Sequence, residues 1–275
     1  MEVREHQLFE DAGEFYSFRE TPNQGGEITP EYLVMHFTKG ASAQSSIDWL
    51  CNPAARASAH MVIGRNGEIT QLVKFNRKAW HAGRSTWEGK SYLNNCSIGI
   101  ELDNYGDLIG RPGNWRTSWG KAVPDQDAIE LAHKFDGNIR SWNVYPEEQL
   151  KAALKVAQTL VETYKLKDII GHDDIAPGRK LDPGPAFPMV SFRAALFGRA
   201  QDNLDIHETT SALNIRTGPG TEFDKLAVSP LPQGTQVDVL QERGVWRQVD
   251  VVDNIENEMD IVGWVHGRYL RRVRE

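Results

Sequence analysis

The sequence predicts a first domain of mixed α and β structure, α/β or α+β, with helices on a central sheet, followed by a small all-β unit. Two observations carry this. Up to about residue 200, apolar runs of strand length are mixed with segments of helical periodicity. Beyond it, only short strand-like runs remain, separated by Gly/Pro turns. The expected division is therefore 1–200 and 201–275. The second part is near the size at which a domain can just fold alone.

The elements follow in order. YLVMHF at 32–37 reads as a buried strand ending in His36. SAQSSIDWLC at 42–51 reads as a short helix capped by Ser42. AHMVIGRNGEITQLV at 59–73 reads as two strands joined at Asn66-Gly67, a strong hairpin signal. SIGIEL at 97–102 is another strand. In EEQLKAALKVAQTLVETYK, 147–165, the residues Leu150, Leu154, Ala157, Leu160, Val161 and Tyr164 recur at helical spacing. Pro146 sits just before, where a helix can start. GRAQDNLDIHE, from residue 198, reads as a linker. After it, ALNIRT, TQVDVL, VWRQVDVV and VGWVHG are strand candidates, which indicates a small barrel or sandwich.

Composition narrows the class of protein. An apolar content of 40% and a charged content of 25% are ordinary for a soluble globular chain. The net charge of −7 argues against a nucleic-acid binder, which needs a basic face. No apolar run reaches the roughly 18 residues of a membrane span, so none is expected. The start, MEVREHQLFEDAGEF, lacks a basic n-region with an apolar core behind it, so no Sec signal peptide is expected. Cys51 and Cys96 make neither a disulfide framework nor zinc-site spacing, and are expected to be buried free thiols.

One stretch stands out. In IIGHDDIAPGRKLDPGPAF, 169–187, apolar periodicity stops and charged residues alternate with Gly and Pro. An apolar pair before it and Phe187 after it argue for an ordered loop that positions charged groups. His36, His81 and His172 all stand at strand ends or in turn-rich loops. Two imidazoles, His36 and His172, with the Asp182 carboxylate and a fourth position left for water, have the composition of a hydrolytic zinc site. Spacing alone does not separate this from a structural role, which is commoner for a strand-end histidine.

The order of motifs is more specific. YLVMHFT, SAHMVIGRNGEITQLV, AWHAG, NCSIGIEL and GHDDIAPGRKLDPGPAF together resemble the zinc-dependent N-acetylmuramoyl-L-alanine amidases, over about residues 20–197. That family includes bacterial muropeptide amidases and the peptidoglycan recognition proteins. SALNIRTGPGTEF, GVWRQV and VGWVHGRYL resemble a bacterial SH3-type domain, over about 205–272. The resemblance implies an α/β amidase domain, with a mixed central sheet flanked by helices, and a small SH3-like barrel. It implies that His36, His172 and Asp182 bind Zn2+, that Glu101 is the base that deprotonates the attacking water, and that Lys180 stabilises the oxyanion. His81 lies where the family contacts substrate. The implied reaction cleaves the amide between N-acetylmuramic acid and L-alanine in peptidoglycan or muropeptides, by a zinc-activated water.

Other readings stay open beside it. The alternatives are a non-catalytic peptidoglycan-recognition protein, although relatives that only bind have lost a zinc ligand and His36, His172, Asp182 and Glu101 are all present here, and a cytoplasmic muropeptide-recycling amidase. Action on the cell wall, periplasmic or extracellular, is expected, by an unassigned export route, and the SH3-type domain is expected to bind the wall. Lys180 could instead pair with Asp173 or Asp174, or Arg179 could be the ion-pair partner. His60 reads as structural, and His133 has no role in this reading. In the Trp-rich segment 104–146, Trp115 and Trp119 are candidates for a substrate-cleft wall, because sugar rings stack on aromatic faces. Trp142 and Tyr145 fit packing on the core better.

Overall fold

Parallel pairing builds the centre of the first unit. The protein, a computed structural model, is described over residues 1–10, 16–135, 137–198, 206–253, 255 and 261–273. Six strands form the main sheet in the order Asp168–Gly171, Tyr32–Phe37, Ser97–Leu102, Met61–Ile63, Ile69–Gln71, Ser17–Phe18. The first four are parallel neighbours. The Met61–Ile63 and Ile69–Gln71 hairpin is antiparallel, so the sheet is mixed. Register matters here: Glu101 lies beside His36, and Gly171 beside Met35. His172, the next residue, therefore continues the row of His36 at the carboxyl ends of the strands, where open α/β sheets bind ligands.

The strands alternate between two faces. Leu33, Met35, Ile98, Ile100 and Leu102 pack against Ala153, Val156, Ala157 and Leu160 of the helix Glu147–Tyr164. Tyr32, Val34 and Ile170 turn the other way, toward Ala82, Leu93 and Ile175. His36 and Glu101 share that second face, because side chains two apart point alike. In SIGIEL one face is thus aliphatic, and the other carries Ser97, Gly99 and Glu101.

The long helix starts after Pro146, with Glu147 and Glu148 in its first turn, where the macrodipole favours acids. Its buried face differs from the expected stripe. Gln149, Ala153, Val156, Ala157 and Leu160 are buried, while Leu150, Leu154, Val161 and Tyr164 are only partly so. The cause is Gln149. Its amide donates to the carbonyls of Ile63 and Asp103 at 2.9 and 3.0 Å and draws this turn of the helix onto the strand ends. The helix Ala43–Leu50 is capped by Ser42, whose hydroxyl accepts from the Ser45 N–H while Ser45 returns the bond.

Segment 104–146 makes two small sheets. Asp107–Leu108, Ile139–Asn143 and Ala128–Ala132 form one, and Trp115–Arg116 pairs with Ala122–Val123 in the other. The charged loop begins with one helical turn, His172–Ile175, before its Gly/Pro turns lead to the helix Met189–Phe197. Both cysteines are free and half-buried, not fully buried as expected. No described helix is long and apolar enough to cross a membrane.

Contacts divide the chain into units 1–199 and 200–275. The second is a five-stranded antiparallel sheet in the order Val262–His266, Trp246–Val251, Gln236–Arg243, Ile206–Thr209, Leu270–Arg272. Its core contains Leu213, Ile215, Leu231, Val237, Val249 and Val265. Two expectations change. Of the supposed linker, 199–205 lie outside the described residues, and Ile206–Thr209 is a strand. ALNIRT forms isolated bridges only, Leu213 with Leu231 and Arg216 with Lys225 and Trp264.

Replacing Gln149 by Leu removes the amide donor from the buried Asp103 carbonyl and leaves the Ile63 carbonyl with the Asp103 N–H alone, while keeping the side chain's bulk. We expect a loss of about 1–3 kcal/mol, read as a lower urea midpoint. An unchanged midpoint would mean that neither bond anchors the helix.

Candidate metal centre

His36, His172 and Asp182 meet at one point, all three buried. The contacts His36 Nδ1–His172 Nδ1, His36 Nδ1–Asp182 Oδ2 and His172 Nδ1–Asp182 Oδ2 are each 2.9 Å. The outer nitrogen of His172, Nε2, faces the Ala82 carbonyl at 3.2 Å. A carbonyl only accepts, so in a neutral ring Nε2 carries the proton and Nδ1 presents a lone pair. A triangle of two ring nitrogens and a carboxylate oxygen has no satisfactory set of protons, since a proton placed on one nitrogen cannot point at both neighbours. A shared cation satisfies all three. Two imidazoles and one carboxylate are the donor set of open divalent metal sites. The residues present therefore fit a metal ion.

The local sequence explains the convergence. Gly171 has no room for a side chain: a Cβ there would lie 2.8 Å from Pro183 Cδ and closer still to Asp173. The Gly171 N–H donates to Asp174 Oδ2, and the Asp173 N–H to the Asp182 carbonyl, each at 2.8 Å. The loop is thereby closed on itself, and the ten-residue gap between His172 and Asp182 collapses to contact. Burial lowers the pKa of His36 to about 4, with His172 adding to the effect and Asp182 opposing it. Burial alone would raise Asp182, but its close contacts with His172 and His36 outweigh that and hold the carboxyl below the usual range.

Glu101 stands on the neighbouring strand and faces the same cleft. Its Oε2 is buried without a hydrogen-bond partner. Burial pushes its pKa up to about 8; the Asp182 charge adds to this and Lys180 opposes it. Lys180 lines the cleft. Asp173 and Asp174 are engaged elsewhere, with Lys134 Nζ at 2.9 and 2.6 Å and His133 Nε2 at 3.2 Å from Asp173. Arg179 donates to the carbonyls of Ala82 and Arg84 at 3.1 and 2.6 Å.

His133 thus lies against Asp173 without a hydrogen bond from Nε2, a placement that the sequence did not disclose, and its segment supports the loop. The Tyr145 hydroxyl donates to the Pro183 carbonyl at 2.7 Å. Trp142 is buried against Gly184, where a Cβ would come within 2.9 Å of the indole, and Gly184 holds φ of +73°. Trp142 and Tyr145 pack, as expected. Trp115 is buried with Leu108 and Val123. Trp119 is exposed and lies edge-on to Tyr105. Neither lines the cleft, whose volume is about 440 Å³; its tryptophans are Trp49 and Trp80. Trp49 is 56% exposed, since the helix Ala43–Leu50 turns Ser46, Ile47 and Leu50 inward instead. The sequence signal was available: Trp80 directly precedes His81, and Trp49 sits one helical turn from Ser46. His81 also lines the cleft, with both ring nitrogens near protein partners.

Both units of the chain are similar to known proteins. Residues 26–185 match the family described as N-acetylmuramoyl-L-alanine amidase, and residues 211–271 match the bacterial SH3 domain. The 1,6-anhydro-N-acetylmuramyl-L-alanine amidase AmpD of Escherichia coli (strain K12) is 35% identical over 140 residues, 50% of this chain and 57% of that protein. The N-acetylmuramoyl-L-alanine amidase AmiD of the same strain is 33% identical over 165 residues, 57% of this chain and 49% of that protein. The chain thus spans about half the length of the curated relatives it matches. A solved complex of E. coli AmiD with anhydro-N-acetylmuramic acid-L-Ala-D-gamma-Glu-L-Lys aligns at a TM-score of 0.47 and 28% identity, covering 62% of this chain and 58% of that one.

A further buried imidazole underlies the site. His60 accepts the Gly99 N–H on Nδ1 at 3.0 Å, and its Nε2 donates to the Arg77 carbonyl at 2.8 Å. Burial lowers its pKa to about 4, the Arg77 bond opposing. The unfolded chain takes up this proton near pH 6.5 and the folded chain does not. His60 therefore favours the fold fully above that pH, and the contribution falls by about 3 kcal/mol as pH drops toward 4. In metal-free protein, His60→Asn should flatten the acid limb of a stability–pH curve. Parallel limbs for variant and wild type would show that His60 is not held neutral.

Proposed function

This chain belongs to the N-acetylmuramoyl-L-alanine amidase family, and from that premise we propose that it hydrolyses the amide between N-acetylmuramic acid and L-alanine in peptidoglycan or muropeptides. The observation that carries the reading is the convergence of His36, His172 and Asp182 beside an unpartnered, buried Glu101 oxygen. We take the ion to be Zn2+, which suits two imidazoles and a carboxylate with a position left open. When bound, zinc supplies Lewis-acid polarisation of the scissile carbonyl and acidifies water.

The chain's own residues do the rest. Glu101 takes a proton from the attacking water on Oε2 and delivers it to the leaving nitrogen; a carboxyl held near neutrality by burial suits both transfers. Lys180, with Asp173 and Asp174 engaged by Lys134, offers its charge to the oxygen that becomes an oxyanion. Trp49 and Trp80 offer apolar faces to the sugar or its lactyl arm. A recognition-only protein is the second reading, and the presence of all three donors and of Glu101 favours catalysis over it. The proposed site of action is the cell wall, with the second unit holding the protein there.

Digestion of purified peptidoglycan, followed by mass spectrometry, tests the reaction. Wild type should release peptides with new L-alanine amino termini, lose this activity in chelator and regain it with zinc. His172→Ala should lose both zinc and activity. Glu101→Gln should keep zinc but lose about 10²–10⁴-fold in rate. Full activity in Glu101→Gln would remove the base assignment, and intact polymer with bound wild type would move the reading to recognition. Removing residues 206–275 should reduce sedimentation with insoluble peptidoglycan yet leave cleavage of a soluble muropeptide. Unchanged sedimentation would end the anchoring idea.

A further inference from the structure

Behind His36 lies a chain of hydrogen bonds whose direction can be worked out from its far end. The Ser97 hydroxyl is 2.6 Å from the Leu93 carbonyl. A carbonyl only accepts, so Ser97 donates there and its oxygen is left to accept. His81 Nε2 is 3.3 Å from that oxygen and must therefore carry a proton. In a neutral ring His81 Nδ1 is then an acceptor, and it stands 3.0 Å from His36 Nε2. His36 must put its own proton on Nε2. Its Nδ1, the atom beside His172 and Asp182, is left with a lone pair directed at the metal position.

The surroundings make this arrangement hard to alter. His81 is buried, and its backbone N–H and that of Ala82 both donate to Asn94 Oδ1, at 3.1 and 2.7 Å. Its ring lies flat against Gly99, where a Cβ would come within 2.4 Å of His81 Cγ. The glycine in SIGIEL is thus the space the imidazole occupies. His36 and His81 meet edge to face, with ring centroids 5.1 Å apart.

We propose that His81 is a positioning residue for metal binding: it accepts the His36 Nε2 proton, is itself fixed in that tautomer by Ser97, and so commits His36 Nδ1 to the ion. Metal-ligating imidazoles usually donate their outer N–H to a carboxylate, a backbone carbonyl or water. His172 follows that pattern through Ala82. For His36 a third imidazole takes the role, and its acceptor atom exists only while the serine holds the other end. This rests on the metal-site reading above, and assigns to His81 a role directed at His36 in place of the substrate contact expected from the motif.

The test is zinc affinity of metal-free protein, by competition with a chromogenic chelator, together with the visible spectrum of the cobalt-substituted protein. His81→Leu removes the acceptor and should weaken zinc binding about 10–100-fold and alter the cobalt bands. His81→Asn can place an amide oxygen where Nδ1 was and should restore both toward wild type. Ser97→Ala should fall between, because His81 is then free to change tautomer. A purely structural role would lower thermal stability in His81→Leu without moving affinity or spectrum, and that result overturns the proposal. If His81→Leu does not fold, Ser97→Ala decides, and wild-type affinity and spectrum in it overturn the proposal equally. Failure of wild type itself to bind zinc would instead remove the metal reading on which the proposal stands.

Discussion

Three electron-rich atoms held 2.9 Å apart in a buried pocket are the constraint on which the first unit depends. Left to themselves they repel or compete for protons. They stay together because each sits on an element that cannot easily move. His36 ends a strand with neighbours on both edges, and His172 opens a helical turn directly after the next strand. Asp182 is tied back through its own carbonyl to Asp173. A cation turns this arrangement from a cost into a gain, so metal affinity and local folding are coupled in such a site.

Much of the surrounding chain serves to hold the loop that carries two of the donors. Trp142 and Tyr145 press on Gly184 and Pro183, and His133 with Lys134 engages Asp173 and Asp174. These contacts have an electrostatic consequence. In the sequence HDDIAPGRKLD, the lysine has acidic residues on both sides, yet the first pair is taken by another cation and Lys180 faces the cleft. Segment 104–146 thus supports the loop from behind, and Asp107 from its start lines the cleft.

The strand Ser97–Leu102 shows how one short element can serve two ends. Its aliphatic face closes the core against the long helix. Its other face supplies a hydroxyl, a space and a carboxylate in sequence: Ser97 orients His81, Gly99 makes room for it, and Glu101 reaches the cleft. The three demands exclude bulk at alternate positions. The second unit shares none of this machinery and has an aliphatic core of its own.

By itself the sequence determined the elements whose signals are local. Strand-length apolar runs at 32–37 and 97–102, the Asn66-Gly67 hairpin, the Ser42 cap and the helix behind Pro146 all follow from neighbouring residues. The candidate donors were named from the sequence too, but only the order of the motifs, not the spacing of two histidines and an aspartate, set them apart from structural residues. Tertiary structure alone decided what depends on pairing across long separations. Parallel register brought residues 36, 101 and 172 into one row, and nothing in their spacing encodes that. The buried face of the long helix turned on Gln149, a polar residue whose partners are carbonyls far off in sequence. Which tryptophans reach the cleft was decided likewise: Trp115 packs inward and Trp49 outward, because exposure belongs to the assembled surface. The direction of the proton chain from Ser97 to His36 needed every distance along it, for a tautomer is set by what lies opposite each nitrogen.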